Sequence, residues 1–148
     1  MTQEQKELLL KDICSRLPYG VKLQHIKNTD SIVELYSIDL DDFYCKIQFY
    51  TYKGKALTTS DEGKLLKPGG MLRYKPLLFP LSSMTEEQRK EYDKIIYHSV
   101  ELHCERYYDV IDVDSCDELH DFYHKNHFDY RGLIPMGLAN DCTNLNIY

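Results

Sequence analysis

The chain has no tryptophan, no run of apolar residues approaching the ~20 needed to cross a bilayer, and no excess of basic charge. With 18 lysines and arginines against 24 acidic residues and a net charge of −6, it lacks the basic footprint that neutralises phosphates and drives nucleic-acid affinity. Direct nucleic-acid binding and a membrane-spanning role are therefore not expected. The five cysteines, Cys14, Cys45, Cys104, Cys116 and Cys142, contain no C-x-x-C pair and are odd in number, which fits reduced thiols in a cytoplasmic protein better than a disulfide scaffold. Met1 to Lys11 is too charged and its apolar run, Leu8 to Leu10, too short for a signal peptide. No glycine-rich phosphate loop or nucleophile elbow is present.

What is present is ordinary globular composition, 43% hydrophobic and 28% charged over 148 residues, the usual size of one domain. Thirteen tyrosines stand out. A tyrosine couples a large apolar ring to a polar tip, so an excess fits either half-buried sheet faces or a contact surface.

Thr2 and Gln5 form a capping box for a first helix, and Leu9, Ile13 and Leu17 follow on one face. Pro18 and Gly20 end it. Val21 to His25, Ile32 to Ile38 and Phe43 to Thr51 alternate with the period of strands, separated by turn residues. From 53 to 80 the periodicity is lost and seven of the chain's glycines and prolines accumulate. Within that irregular segment Leu72 to Phe79 is too apolar to be solvated, and Pro76 makes it an edge strand at best. Thr85 and Gln88 cap another helix; Ser115 and Glu118 repeat the pattern for a last one, with Asn126 as its stop. Residues 107–114 are compatible with strand or helix. The expected architecture is a single α+β domain over 1–148: an N-terminal helix, an antiparallel sheet of three to four strands, two C-terminal helices on one face, and a loosely held polar tail at 140–148.

Two constellations carry chemistry. Cys116, His120 and His124 stand at i, i+4 and i+8, a row of soft ligands that on a helix gives a candidate zinc stripe. Asp121 occupies the place where a zincin carries its general-base glutamate, and no further ligand completes the set. In Asp129-Tyr130-Arg131-Gly132, an arginine beside a glycine turn offers a fork for a carboxylate or phosphate; the plainer expectation is an internal salt bridge with Asp129 that pins the C-terminal segment.

Leu8 to Lys22, Lys75 to Glu87 and His127 to Ala139 (LLLKDICSRLPYGVK, KPLLFPLSSMTEE, HFDYRGLIPMGLA) together resemble an uncharacterised family of small proteins from gut bacteria and their phages or integrated elements. The resemblance implies an intracellular accessory protein and assigns no activity or site. With no complete catalytic motif, the expected function is a non-enzymatic protein-interaction module with no cofactor and a protein partner. Its contact residues are expected among Tyr50, Tyr52, Arg73, Tyr74, Tyr130 and Arg131, because tyrosine and arginine anchor interfaces. The alternative is a small zinc enzyme using Cys116, His120 and His124.

Overall fold

The computed structural model describes residues 1–39, 46–51, 63–64, 73–105 and 113–148, with side-chain detail at 1–35, 73–97 and 117–148. Helix α1 (Gln3–Arg16) opens on the expected capping box: the Gln5 amide donates to Thr2 Oγ1 at 3.2 Å, and the Thr2 amide donates to Gln5 Oε1 at 3.0 Å. A single 3-10 turn, Leu17–Tyr19, leads through Gly20 at φ 74°, a backbone state that glycine alone adopts without strain. Strands β1 (Val21–His25), β2 (Ile32–Asp39) and β3 (Lys46–Thr51) then form the expected antiparallel meander.

A two-residue β4 (Gly63–Lys64) extends the meander on its outer side, and β5 (Tyr74–Leu78) joins on the other side of β1, so the six-stranded order is β4-β3-β2-β1-β5-β6. The last member, β6 (Asn140–Asp141), runs parallel to β5. Three expectations need correction here. The 53–80 segment is not irregular throughout, since β4 and β5 lie inside it. Strand β5 is not an edge strand, because β6 pairs beyond it; β6 contacts only Leu77 and Leu78, past the proline that has no N–H to offer. The tail is not loosely held. Asn140 Nδ2 donates to Gln24 Oε1 at 2.7 Å, the Cys142 amide donates to the Leu78 carbonyl at 3.0 Å, and the Tyr148 hydroxyl accepts from the Lys22 amide at 3.0 Å and donates to the Leu77 carbonyl at 3.1 Å.

One face of the sheet presents Val21, Leu23, Val33, Leu35 and Leu78, all buried, to Leu9 and Ile13 of α1 and to the strap Leu133, Leu138 and Ala139. Helix α2 (Glu86–Glu105), capped by Thr85 and Gln88 as expected, packs on α3 (Val113–Lys125). A second cluster forms there around Phe122, Tyr123 and Phe128. Helix α3 begins two residues before Ser115, so Ser115 is not its cap. Of the 107–114 stretch, residues 107–112 lie outside the described residues, and Val113 and Asp114 are helical.

Helix α3 ends at Lys125, directly before Asn126, and the left-handed residue of its ending is the next one, His127. His127 takes φ 56°, its amide donates to the His124 carbonyl at 3.2 Å, and the Phe128 amide donates to the Tyr123 carbonyl at 2.9 Å. These are the paired bonds of a Schellman ending, with a histidine where glycine is usual. The strap repeats the device with Gly137 at φ 71° and bonds from Leu138 to Leu133 and from Gly137 to Ile134.

The histidine is retained at a strained position by what its ring touches. His127 stacks on Tyr148 at 3.7 Å and 17°, Phe79 lies 5.9 Å from the same ring, and Lys22 Nζ stands 4.9 Å over it. Tyr148→Phe removes the hydroxyl shared by the Lys22 amide and the Leu77 carbonyl while keeping the stack. The expected loss is about 1–3 kcal/mol, read as a lowered midpoint in urea unfolding followed by circular dichroism.

Candidate functional site

Leu9, Asp12, Ile13 and Arg16 occupy one face of α1 at i, i+3, i+4 and i+7, and all four are buried. Two charges therefore lie within an apolar stripe. Neither Asp12 nor Arg16 exposes any side-chain surface, and each is satisfied by its neighbours. Arg16 Nε donates to Asp12 Oδ2 at 2.7 Å and Nη2 to Oδ1 at 3.0 Å, a two-point pairing. The guanidinium then reaches out of its own helix, donating from Nη2 to the Phe128 carbonyl at 2.7 Å and from Nη1 to the Tyr123 carbonyl at 3.3 Å. Those carbonyls belong to the α3 Schellman ending and the residue after it, so α1 holds that ending in place.

Asp12 has a second cation. Arg131 Nε lies 3.3 Å from Asp12 Oδ1, within ion-pair range but without the alignment of a hydrogen bond. Asp129, expected to hold Arg131, is engaged elsewhere: its two oxygens accept the Leu133 and Ile134 amides, each at 2.7 Å. The internal salt bridge of Arg131 thus exists with a different aspartate. Two unpaired amides at the start of the strap turn compete for Asp129 and win, because a buried N–H without an acceptor is costly.

Above this pair lies a shelf of rings. Tyr130 stacks on Tyr123 at 4.7 Å and 8°, and the Arg131 guanidinium stands 4.7 Å from the Tyr130 ring. The Tyr130 hydroxyl and His124 Nε2 are hydrogen-bonded at 2.9 Å. His120, exposed, lies 5.5 Å from Tyr130 and stacks on His124 at 6.1 Å. Tyr19 closes one side by donating to Asp121 Oδ1 at 3.0 Å. Burial, followed by the Arg16 guanidinium, lowers the His124 imidazole to about 4. Burial raises the Tyr130 phenol, against the pull of Arg131. Both groups are uncharged at neutral pH, and their bond is a positioning strut for the Tyr130 ring.

His124 Nε2 is occupied by Tyr130, the Cys116 side chain lies outside the described residues, and among the described residues no three histidines, cysteines or carboxylates gather as a metal cluster. Of the expected contact residues, Tyr130 and Arg131 share the shelf. Arg73 is exposed at the bend before β5, and Tyr74 is half-buried against His25, edge to face at 5.0 Å. That pair sits at the opposite end of β5 from Phe128, roughly 16 Å away at the ordinary rise of a strand. Tyr50 is on β3 opposite Glu34, with its side chain outside the described residues, as is all of Tyr52.

Comparison of the chain with family models, with curated proteins and with solved structures finds no match. The site is therefore interpreted from its own chemistry. Asp12 and Arg16 were not singled out in the sequence, although a visible signal existed: two opposite charges four residues apart inside the apolar stripe of a capped helix. Nothing in the sequence marked Tyr19, which is brought to Asp121 only by the fold. A cleft of about 200 Å³ is lined by Leu81, Met84, Arg89, Tyr92, Asp93 and Tyr123. Burial holds the Cys14 thiol above its ordinary value and pushes that of Cys142 up to about 12, so neither is a thiolate nucleophile at neutral pH.

Asp12→Ala leaves Arg16 buried without its counter-ion and is expected to cost about 3–5 kcal/mol. Arg131→Gln leaves the inner pair intact and is expected to cost about 1 kcal/mol or less; thermal melts of the two variants compare them directly. Acid has a predictable effect as well. His124 and His127 are both lowered from 6.5 to about 4 by burial, aided by Arg16. The unfolded chain therefore binds protons first, and the stability present above pH 6.5 declines as pH falls from 6.5 towards 4. Melting temperature measured across that window is expected to drop, and to drop less steeply in His127→Gln.

Proposed function

We propose that this domain is a non-enzymatic protein-interaction module, a cytoplasmic accessory protein of the kind carried by phages or integrated elements, with the Tyr130-Arg131 shelf as its contact surface. The observation that carries the reading is the rigidity of a tyrosine and an arginine that are only partly covered. Tyr130 is fixed by Tyr123 and by His124, and Arg131 by Asp12 and by the Tyr130 ring. A side chain already held in one conformation loses little entropy on binding, and tyrosine and arginine so placed are the residues from which interfaces draw most of their energy. The free cysteines Cys14 and Cys142 agree with a reducing compartment, and among the described residues no helix is long and apolar enough to cross a membrane.

The proposed link to a mobile-element family rests on the resemblance carried by the three segments quoted above. Two of them contain part of the shelf and its support, Asp12, Arg16 and Tyr19 in the first and Tyr130 and Arg131 in the last, while Tyr123 and His124 lie outside all three. The test is affinity capture from source-cell lysate with wild-type protein and with Arg131→Gln. A partner retained by the wild type and reduced at least tenfold by Arg131→Gln, with the melting temperature of the variant within a few degrees, is the expected result. A partner retained equally by both proteins would move the contact surface elsewhere.

A further inference from the structure

The charges beneath the shelf do not balance. Asp12 is a single carboxylate shared by two guanidinium groups, Arg16 at 2.7 Å and Arg131 at 3.3 Å. His124 is neutral, and Asp129 has both oxygens on backbone amides. Arg16 is fully buried and committed to Asp12 and to two carbonyls. The excess positive charge therefore resides on Arg131, whose side chain is 18% exposed. Its only ion pair among the described residues is the shared one with Asp12.

From this we infer that Arg131 is an oxyanion-binding anchor, and that its ligand is a side-chain carboxylate from an acidic segment of the partner protein. The inference rests on the interaction reading above and specifies the chemistry of the partner. One uncompensated unit charge matches one carboxylate. A phosphate dianion fits less well, because it brings about two charges to a place with one to spare. Arginine is suited to the task where lysine is not, since its planar fork meets both oxygens of a carboxylate at once. With Nε turned inward to Asp12 and the plane held 4.7 Å from Tyr130, the fork is oriented before any ligand arrives. The flanking His120 ring is exposed and 5.5 Å from Tyr130, so it borders the place a carboxylate would take.

The measurement is a nitrogen-15 NMR titration that follows the Arg131 Nε–H signal, assigned by its absence in Arg131→Lys. The probes are an acetylated, amidated triglutamate peptide, the matching triglutamine peptide and inorganic phosphate, all at equal ionic strength. The expected result is a saturable shift with triglutamate, none with triglutamine, a weaker response to phosphate, and at least tenfold weaker triglutamate binding by Arg131→Lys as judged from neighbouring amides. No shift with triglutamate, or a response to phosphate as strong as that to the peptide, overturns the assignment of a carboxylate. Competition in the capture experiment separates this from the wider reading. A partner that depends on Arg131 but is not displaced by triglutamate overturns the carboxylate and leaves the interaction surface standing, whereas a partner independent of Arg131 removes both.

Discussion

The buried pair of Asp12 and Arg16 is the constraint on which the remaining structure hangs. Removing two full charges from water costs several kcal/mol per ion, and the cost is offset only where geometry is close and the leftover donors are satisfied. Here the guanidinium makes two bonds to Asp12 and one to each of two carbonyls 107 and 112 residues along the chain. A leucine and methionine pair of similar volume would fill the same space, but it would not choose among ways of docking α1. The ion pair does choose, because only one docking brings the carbonyls of Tyr123 and Phe128 within reach.

That choice propagates. The Phe128 carbonyl is available to Arg16 because the chain turns sharply after α3, and it turns because His127 accepts a left-handed backbone. Beyond the turn, Phe128 forms a parallel bridge with Phe79 at the end of β5, with the Phe79 amide donating to the His127 carbonyl and the Asp129 amide to the Phe79 carbonyl. The short stretch from His127 to Asp129 thus ties together α1, α3 and the sheet. Asp129 then starts the strap by capping Leu133 and Ile134, and the strap closes the main core over Leu9 and Ile13. Each step positions Tyr130 and Arg131, which lie between the bridge and the strap.

The parts of this arrangement that were legible in the sequence are those set by local chemistry. Both Thr-x-x-Gln boxes form as written, because the two reciprocal bonds need only residues three apart. The meander of β1, β2 and β3 follows from alternation, and turn residues separate its first two strands. What sequence could not fix was competition between distant groups for the same partner. Asp129 looked bound to Arg131 because the two are neighbours, yet the amides of Leu133 and Ile134 take it. Pro76 looked like the mark of an edge strand, yet a two-residue parallel strand from sixty residues away pairs just past it. The tail looked loose because it is polar, but its polarity is what ties it: Asn140, the Cys142 amide and Tyr148 each meet a sheet group whose hydrogen-bonding capacity would otherwise be spent on water.

The histidines show why residue type alone was a poor guide to chemistry here. His120 and His124 have the spacing of a metal pair, and on α3 they do lie side by side, with rings nearly parallel. Yet a ligand must present a free ring nitrogen, and His124 Nε2 is engaged with the Tyr130 hydroxyl. Burial beside Arg16 and Arg131 also works against any added cation at this place, since two guanidinium groups already share one carboxylate. The inner pair thus places two guanidinium groups beside the end of the last helix, with Arg131 the one at the surface.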